Sequence, residues 1–498
     1  MTRPLGWPPV TDSSLASYMK NPKKAALLAA VNELAAPLAA APVSHEQLIS
    51  DLLSQVGKVD FYALAQLEDP SEKLKQKHHL VIVVEYLLEL AARNNWGLCR
   101  RNGFVYTYNG AYWRQVEPDE LQRFLMQAAE RMGVMKFEAR SHFTGEQLLK
   151  QFLTSAYLAE PVPNREVIRV NLQNGTFDIS PKAQKLRPPN RVDFLTHQLP
   201  FAYDKTAAAP TWQTFLNRVL PDESSQLVLA EYLGYVFVHP SQLKLEKVLL
   251  LHGSGANGKS VVFEVVTALL GPENVSHHSL NSLTTEPAYC RANLATSLVN
   301  YASELSKGLE ADAFKQIVSG EPIEARLPYG KPFVIRDYAK LIFNCNELPT
   351  DVEHTHAYFR RFMIVPFPVT IPEAEQDKTL AARIIAHELP GVFNWILAGL
   401  KRLIAQEGFT DCEAARQQID EYRRQSDSVR LFLEEYGYVA APSAWRPARE
   451  VYAEYRSFCQ SDGYRPVAQQ KFKGRLRAAG IDETRRNAGR GFHLSRPL

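Results

Sequence analysis

The sequence predicts an α/β chain with a largely parallel sheet at its centre, a mixed α+β region before it and a helix-and-hairpin module after it. Three observations carry this. Residues 247–252 form an apolar run of strand length that flows through a glycine-rich turn into the helical pattern VVFEVVTALLG. Two later apolar runs, one ending at Ala302-Ser303-Glu304 and one, KLIFNCNELP, ending at Asn346, supply further buried strands of the same block. Outside that block, aromatic hairpins and helical periodicities take over.

The 498 residues suffice for two to four domains. An apolar content of 45% and a charged content of 22% exclude wholesale disorder. No apolar run is long enough for a membrane span, and the N-terminus lacks the layout of a secretory signal, so no membrane partner is expected. The five cysteines are scattered and never spaced as CxxC, which argues for a reducing cytoplasm and against a disulfide framework or zinc site. Net charge is only +3, yet residues 465–498 carry nine basic side chains against Asp482 and Glu483, a local net of +7.

In chain order, residues 1–75 read as a helical extension, with Ser44 a good N-cap. Residues 76–208 read as an α+β domain. It starts with a buried helix from Lys77 to near Asn94, followed by two aromatic strands around Asn109-Gly110 and another strand pair around Asn174-Gly175. Pro210 and Trp212 open a helical connector over 209–246, and the α/β block fills 247–370. A helical, lid-like segment covers 371–425, and 426–498 reads helix, strand-like turn, helix, helix, then the Gly-rich hairpin NAGRGFHLS.

Gly253-Ser254-Gly255-Ala256-Asn257-Gly258-Lys259-Ser260 is GxxxxGK[ST] in the context it requires, after a strand and opening a helix. Glycines let backbone N–H groups curl around a phosphate, and the helix N-terminus adds the positive end of its dipole. Lys259 brings a point charge to the β- and γ-phosphates of ATP, and the Ser260 hydroxyl ligates Mg2+. Hydrolysis needs an acid on another strand; Glu304 stands where open α/β sheets place their ligands and is also a candidate metal ligand. The position just before it is Ser303, not a second acid, which shifts the metal toward Ser260, phosphates and water. Asn346 is placed to hydrogen-bond a γ-phosphate or water; its alternative is a turn initiator before Pro349.

The order of phosphate loop, Ser303-Glu304, LEADAFKQIVSGEPIEARLPYGKPF, Asn346-Glu347-Leu348-Pro349 and FRRFMIVPF resembles the superfamily 3 helicase module of phage, plasmid and satellite-element primase-helicases, a family that includes poxvirus-type replication helicases. YTYNGAYWRQV and VNLQNGTFDI resemble the domain that precedes this module, so the likeness covers about residues 78–498. The resemblance implies an AAA+ type P-loop ATPase domain, a preceding α+β collar region and a C-terminal winged-helix domain. It implies a homohexameric ring that unwinds DNA 3′-to-5′ in replication of a mobile element, in a bacterial cytoplasm.

It also implies roles. Lys259 and Ser260 match the nucleotide loop, Glu304 the acidic strand end and Asn346 the sensor. Arg360 and Arg361 match the arginine finger that reaches the neighbouring subunit's nucleotide, with Arg361 preferred; a local salt bridge is the alternative. Between Ala325 and Arg336 two strands flank a Pro-Tyr-Gly-Lys turn, the hairpin that enters the ring channel. There Arg326, Tyr329 and Lys331, with Lys315 on the preceding helix, would grip single-stranded DNA. Lys471, Lys473, Arg475 and Arg477 on a helix, and Arg485, Arg486 and Arg490 on the wing, are candidate DNA contacts; a protein-docking winged helix is the alternative. Only about 75 residues precede the collar region, so primers are expected from a separate primase, with an initiator as a further partner. An ATP-switched origin-binding initiator and another P-loop motor are the rival readings.

Overall fold

The computed structural model describes residues 42–67, 72–101, 104–158, 166–180, 183–303, 310–327, 332–349, 352–487 and 489–496. They form two compact units, Met1–Pro161 with Pro189–Phe194, and Val162–Pro188 with Leu195–Leu498.

The first unit surrounds an antiparallel sheet with helices. α1 (His45–Ser54) and α2 (Gln76–Arg93) precede β1 (Gly97–Arg101), β2 (Phe104–Tyr108) and β3 (Trp113–Val116); α3 (Pro118–Met132) and α4 (His142–Ser155) follow. Ser44 caps α1 as expected, its hydroxyl accepting the Gln47 N–H. The β2–β3 turn forms at Asn109-Gly110, where Asn109 Oδ1 accepts the N–H groups of Ala111 and Tyr112, each at 3.0 Å. Leu48 and Leu52 of α1 share one core with Val83 and Leu87 of α2 and Leu121 and Leu125 of α3. α1 is therefore part of this unit's core.

The second unit opens with the antiparallel strands β4 (Ile168–Leu172), β5 (Gly175–Ile179) and β6 (Gln184–Arg187), then α5 (Pro210–Val219) and α6 (Glu223–Tyr235). Next comes the α/β block: β7 (Val248–His252), α7 (Lys259–Leu270), β8 (Val275–Ser276) and β9 (Val299–Ala302). α8 (Ala311–Val318), the hairpin β10 (Ile323–Ala325) and β11 (Phe333–Ile335), β12 (Lys340–Cys345), the single turn α9 (His356–Phe359) and β13 (Phe362–Pro366) complete it. The sheet is parallel with strand order β13-β7-β12-β9-β8. Val248 through Leu251 are fully buried, which is why β7 reads as a continuous apolar run.

The apolar run that ends at Ala302-Ser303-Glu304, expected as strand from Leu294 onward, is strand only in part: Leu294 closes the helix Tyr289–Leu294 and β9 begins at Val299. Short apolar runs do not separate a strand from a buried helical turn by periodicity.

α10 (Leu380–His387), α11 (Leu389–Gln406) and α12 (Glu413–Gln425) follow the sheet. α11 lies against α6 at backbone distance: a Cβ on Gly399 would sit 2.5 Å from the Ala230 carbonyl carbon, and one on Gly234 2.7 Å from Leu400 Cβ. The chain ends in α13 (Ser428–Glu435), β14 (Val439–Ala440), β15 (Arg446–Pro447), α14 (Ala448–Ser461), α15 (Gln469–Ala478), β16 (Glu483–Arg486), β17 (Gly489–Phe492) and β18 (Leu494–Ser495). β17 lies between β15 and β16, and Phe432, Tyr455, Phe472 and Phe492 fill a core of their own. Among the described residues no helix is long and apolar enough to cross a membrane.

Candidate nucleotide site

The loop from Gly253 to Gly258 turns at the C-terminal edge of the sheet, with Gly255 at φ +111°, Ala256 at +48° and Gly258 at +88°. A Cβ on Gly253 would lie 2.1 Å from Asn257 Nδ2 and 2.7 Å from the Phe367 carbonyl oxygen. One on Gly258 would meet the Phe215 ring of α5 at 2.8 Å, so the glycines are needed for close approach as well as for their backbone angles. The loop is pinned by its neighbours, since Gly253 N–H donates to the Cys345 carbonyl (3.1 Å) and Ile371 N–H to the Ala256 carbonyl (2.7 Å).

Lys259 is 6% exposed, and its ammonium donates to the Gly253 carbonyl (2.6 Å) and to Asn257 Oδ1 (3.0 Å). Burial holds its pKa below the ordinary lysine value. Both partners are neutral oxygens, and among the described residues no carboxylate pairs with it. A buried ammonium so placed, beside a helix N-terminus, suits an anionic phosphate chain. Ser260 is exposed at the same cleft.

The cleft has a volume of about 840 Å³ and gathers residues from the loop after β7, from the ends of β9 and β12 and from three helices, α5, α7 and α10. Ser303, at the end of β9, lines it; Glu304 lies outside the described residues. Asn346 is exposed at its wall. Sequence reasoning missed Asn344, two positions earlier on β12, which lines the same cleft. Asn344 is buried, accepts the Tyr301 hydroxyl (3.0 Å) and donates to the Lys259 carbonyl (3.4 Å). Period-2 alternation along KLIFNCN was the available signal. Arg218 of α5 and Arg383 of α10 were also missed; each lines the cleft, the first paired with Glu375 and the second with Asp377 at 2.8 Å.

Arg360 and Arg361 stand at the opposite edge. Val248 N–H, at the start of β7, donates to the Arg361 carbonyl (2.8 Å), whereas the phosphate loop leaves the far end of that strand. Five residues of strand separate the edges by roughly 17 Å, so neither guanidinium faces its own loop. The two differ sharply. Arg361 is 7% exposed, and its Nε and Nη2 donate to Ser319 Oγ at 3.2 and 2.8 Å. The Arg360 side chain is 52% exposed and only loosely held, 3.3 Å from Glu246.

The proposed DNA-binding side chains also divide. Lys315 is engaged by Asp312 (2.8 Å) and Glu353 (2.9 Å), and Arg326 is exposed after β10. Tyr329 and Lys331 lie outside the described residues. In the C-terminal module Lys473 pairs with Glu483 (2.6 Å) and Arg475 with Asp427 (2.9 Å), both half-buried. Lys471, Arg477, Arg485, Arg486 and Arg490 are exposed; Arg486 lies over the Trp445 ring and Arg490 is 3.9 Å from Glu483.

A parallel sheet with this loop at its C-terminal edge defines an α/β domain of the P-loop kind. Comparison with known proteins carries the assignment further. Residues 83–221 match the family described as D5 N terminal like, and residues 424–483 the one described as poxvirus D5 protein-like. Residues 251–361, which hold the loop and both arginines, match a family of unknown function, DUF5906. These D5-like matches support a viral primase-helicase-type module, the kind that the motif order implied. A candidate helicase of Acanthamoeba polyphaga mimivirus is 25% identical over 255 residues, 45% of this chain and 25% of the relative. One of invertebrate iridescent virus 3 is 24% identical over 231 residues, 42% of this chain and 24% of the relative. The chain spans about a quarter of the length of these relatives. Among solved structures, the apo C-terminal region of NrS-1 (305–718) aligns at a TM-score of 0.48 and 10% identity, over 84% of this chain and 99% of that one.

Proposed function

We propose that the chain is the motor subunit of a replication helicase of the superfamily 3, AAA+ type: a hexameric ring that hydrolyses ATP to move 3′-to-5′ along one strand of forked DNA. The observation that carries this reading is the division of the site between two edges. A phosphate cradle lies at the C-terminal edge of the sheet, and an exposed guanidinium, Arg360, lies at the N-terminal edge where only another copy can use it.

In this reading Lys259 and the loop N–H groups hold the triphosphate, Ser260 holds Mg2+, and Asn346 and Glu304 orient the attacking water. Mg2+ supplies charge neutralisation between the phosphates. Arg360, rather than the buried Arg361, stabilises the charge on the transferring phosphoryl group from the neighbouring subunit. The β10–β11 hairpin, with Arg326, Tyr329 and Lys331, grips the strand in the channel. Residues 426–498 act as a winged helix whose exposed Lys471, Arg477 and Arg485 meet DNA phosphates.

The test is subunit mixing. Lys259→Ala and Arg360→Ala proteins should each lose ATP hydrolysis. Mixed one to one, they should regain activity at about a quarter of the sites, those pairing an intact cradle with an intact arginine. A mixture as inactive as its parents would refute completion of the site between copies. A fork-unwinding assay on 3′- and 5′-tailed substrates, with and without ATP, tests activity and polarity together.

A further inference from the structure

Arg361 sits beside the proposed trans-acting Arg360, yet its side chain turns inward. Both of its bonds to Ser319 Oγ end on the residue that closes α8, the helix leading into the β10–β11 hairpin. A second link joins the same two elements: Lys315 of α8 meets Glu353, just before α9, at 2.9 Å. Phe314 of α8 stacks on Phe362, the residue after Arg361, with ring centroids 5.0 Å apart. On its other side the hairpin is tied to α8 as well. The hydroxyl of Tyr338, beyond β11, lies within donating distance of the carbonyls of Ile317 in α8 (3.1 Å) and of Glu321, ahead of β10 (2.8 Å). α8 and the base of the hairpin therefore form one block, and that block is fastened to the arginine turn through Arg361.

We propose that Arg361 is a positioning residue: through Ser319 it makes the hairpin block and Arg360 move together, so that DNA held by the hairpin sets the arginine presented to the neighbour's nucleotide. This rests on the motor reading above. It gives the two adjacent arginines different tasks and makes Lys315 part of the fastening. A buried guanidinium bonded to a hydroxyl and a main-chain carbonyl has little freedom, so a shift of Ser319 is passed on rather than absorbed.

The coupling is measurable without turnover. The affinity of the full chain for a slowly hydrolysed ATP analogue is determined with and without single-stranded DNA; the ratio is the coupling, typically about 5- to 150-fold between linked sites. Ser319→Ala and Arg361→Gln should each bring the ratio to within about twofold of unity, and the double variant should do no more than either. Glu353→Gln, at a half-exposed pair, should lower it less. Wild-type coupling in Ser319→Ala would overturn the inference while leaving the motor reading intact. Should Ser319→Ala not fold, Glu353→Gln decides: a reduced ratio supports the fastening and an unchanged one overturns it. A wild-type chain whose nucleotide affinity ignores DNA would overturn both.

Discussion

Tyr301 lies fully buried beneath the cleft, where its hydroxyl reaches Asn344 Oδ1 at 3.0 Å, and burial pushes its pKa far above the ordinary tyrosine value. It therefore stays a donor at every workable pH and fixes which way the Asn344 amide faces. Tyr301→Phe should cost about 1 kcal/mol in urea unfolding, the net worth of one hydrogen bond. Its larger effect should be on the cleft, where the freed amide lowers affinity for the ATP analogue several-fold. Asn344→Ala, which strands the buried hydroxyl, should cost more, about 1–3 kcal/mol. Equal losses for the two variants would refute this account of the pair. Legibility in the sequence followed locality. The phosphate loop could be read because every group it needs lies within eight consecutive residues. Arg218 and Arg383 could not, because α5 and α10 approach the loop only through tertiary packing. The inward turn of Arg361 depends on Ser319, whose position no pattern around FRRF discloses.

At the scale of single elements, helix packing carries predictions of its own. The α6–α11 pair meets backbone to backbone, so Gly399→Val should force the helices apart and lower stability by about 1–3 kcal/mol, read as a lower unfolding temperature. An unchanged transition would show that the approach is not tight. In the first unit, α1 rests on the sheet through His45, whose Nδ1 meets Thr107 Oγ1 at 3.2 Å and whose ring packs edge-on to Tyr112. Burial, helped by the charge of Arg114 and opposed by that of Glu46, holds the His45 pKa down to about 4. The unfolded chain takes up this proton near pH 6.5. Protons thus favour unfolding, and the stability that His45 contributes is lost as pH falls from 6.5 toward 4. Hydrogen exchange of residues 45–54 should quicken over that window in the wild type and less in His45→Gln; equal slopes would exclude His45 as the cause. The helices were largely legible from periodicity and capping: the helix expected from Lys77 runs Gln76–Arg93. The two-residue β8 and the helical turn Tyr289–Leu294 were not, being too short for any period to register.

For the chain as an assembly of parts, charge placement predicts which basic residues bind DNA and which support the module. Replacing Lys471, Arg477 and Arg485 with Gln should weaken DNA binding and flatten the dependence of log affinity on log salt, by roughly one unit for each phosphate left without its cation. Replacing Lys473 and Arg475 should chiefly lower thermal stability, since their partners Glu483 and Asp427 lie inside the module. The reverse pattern would exchange the two roles. The sequence showed where basic charge gathers, but not which charges face inward, because that depends on acids brought in from other elements. The central strand has a wider consequence. β7 delivers the phosphate loop from its last residue and accepts the arginine turn at its first. On the proposed trans arrangement it is a ruler of fixed length between the half-site a subunit would keep and the one it would lend. Lengthening it by a single residue would throw the two out of phase, however well each remained built.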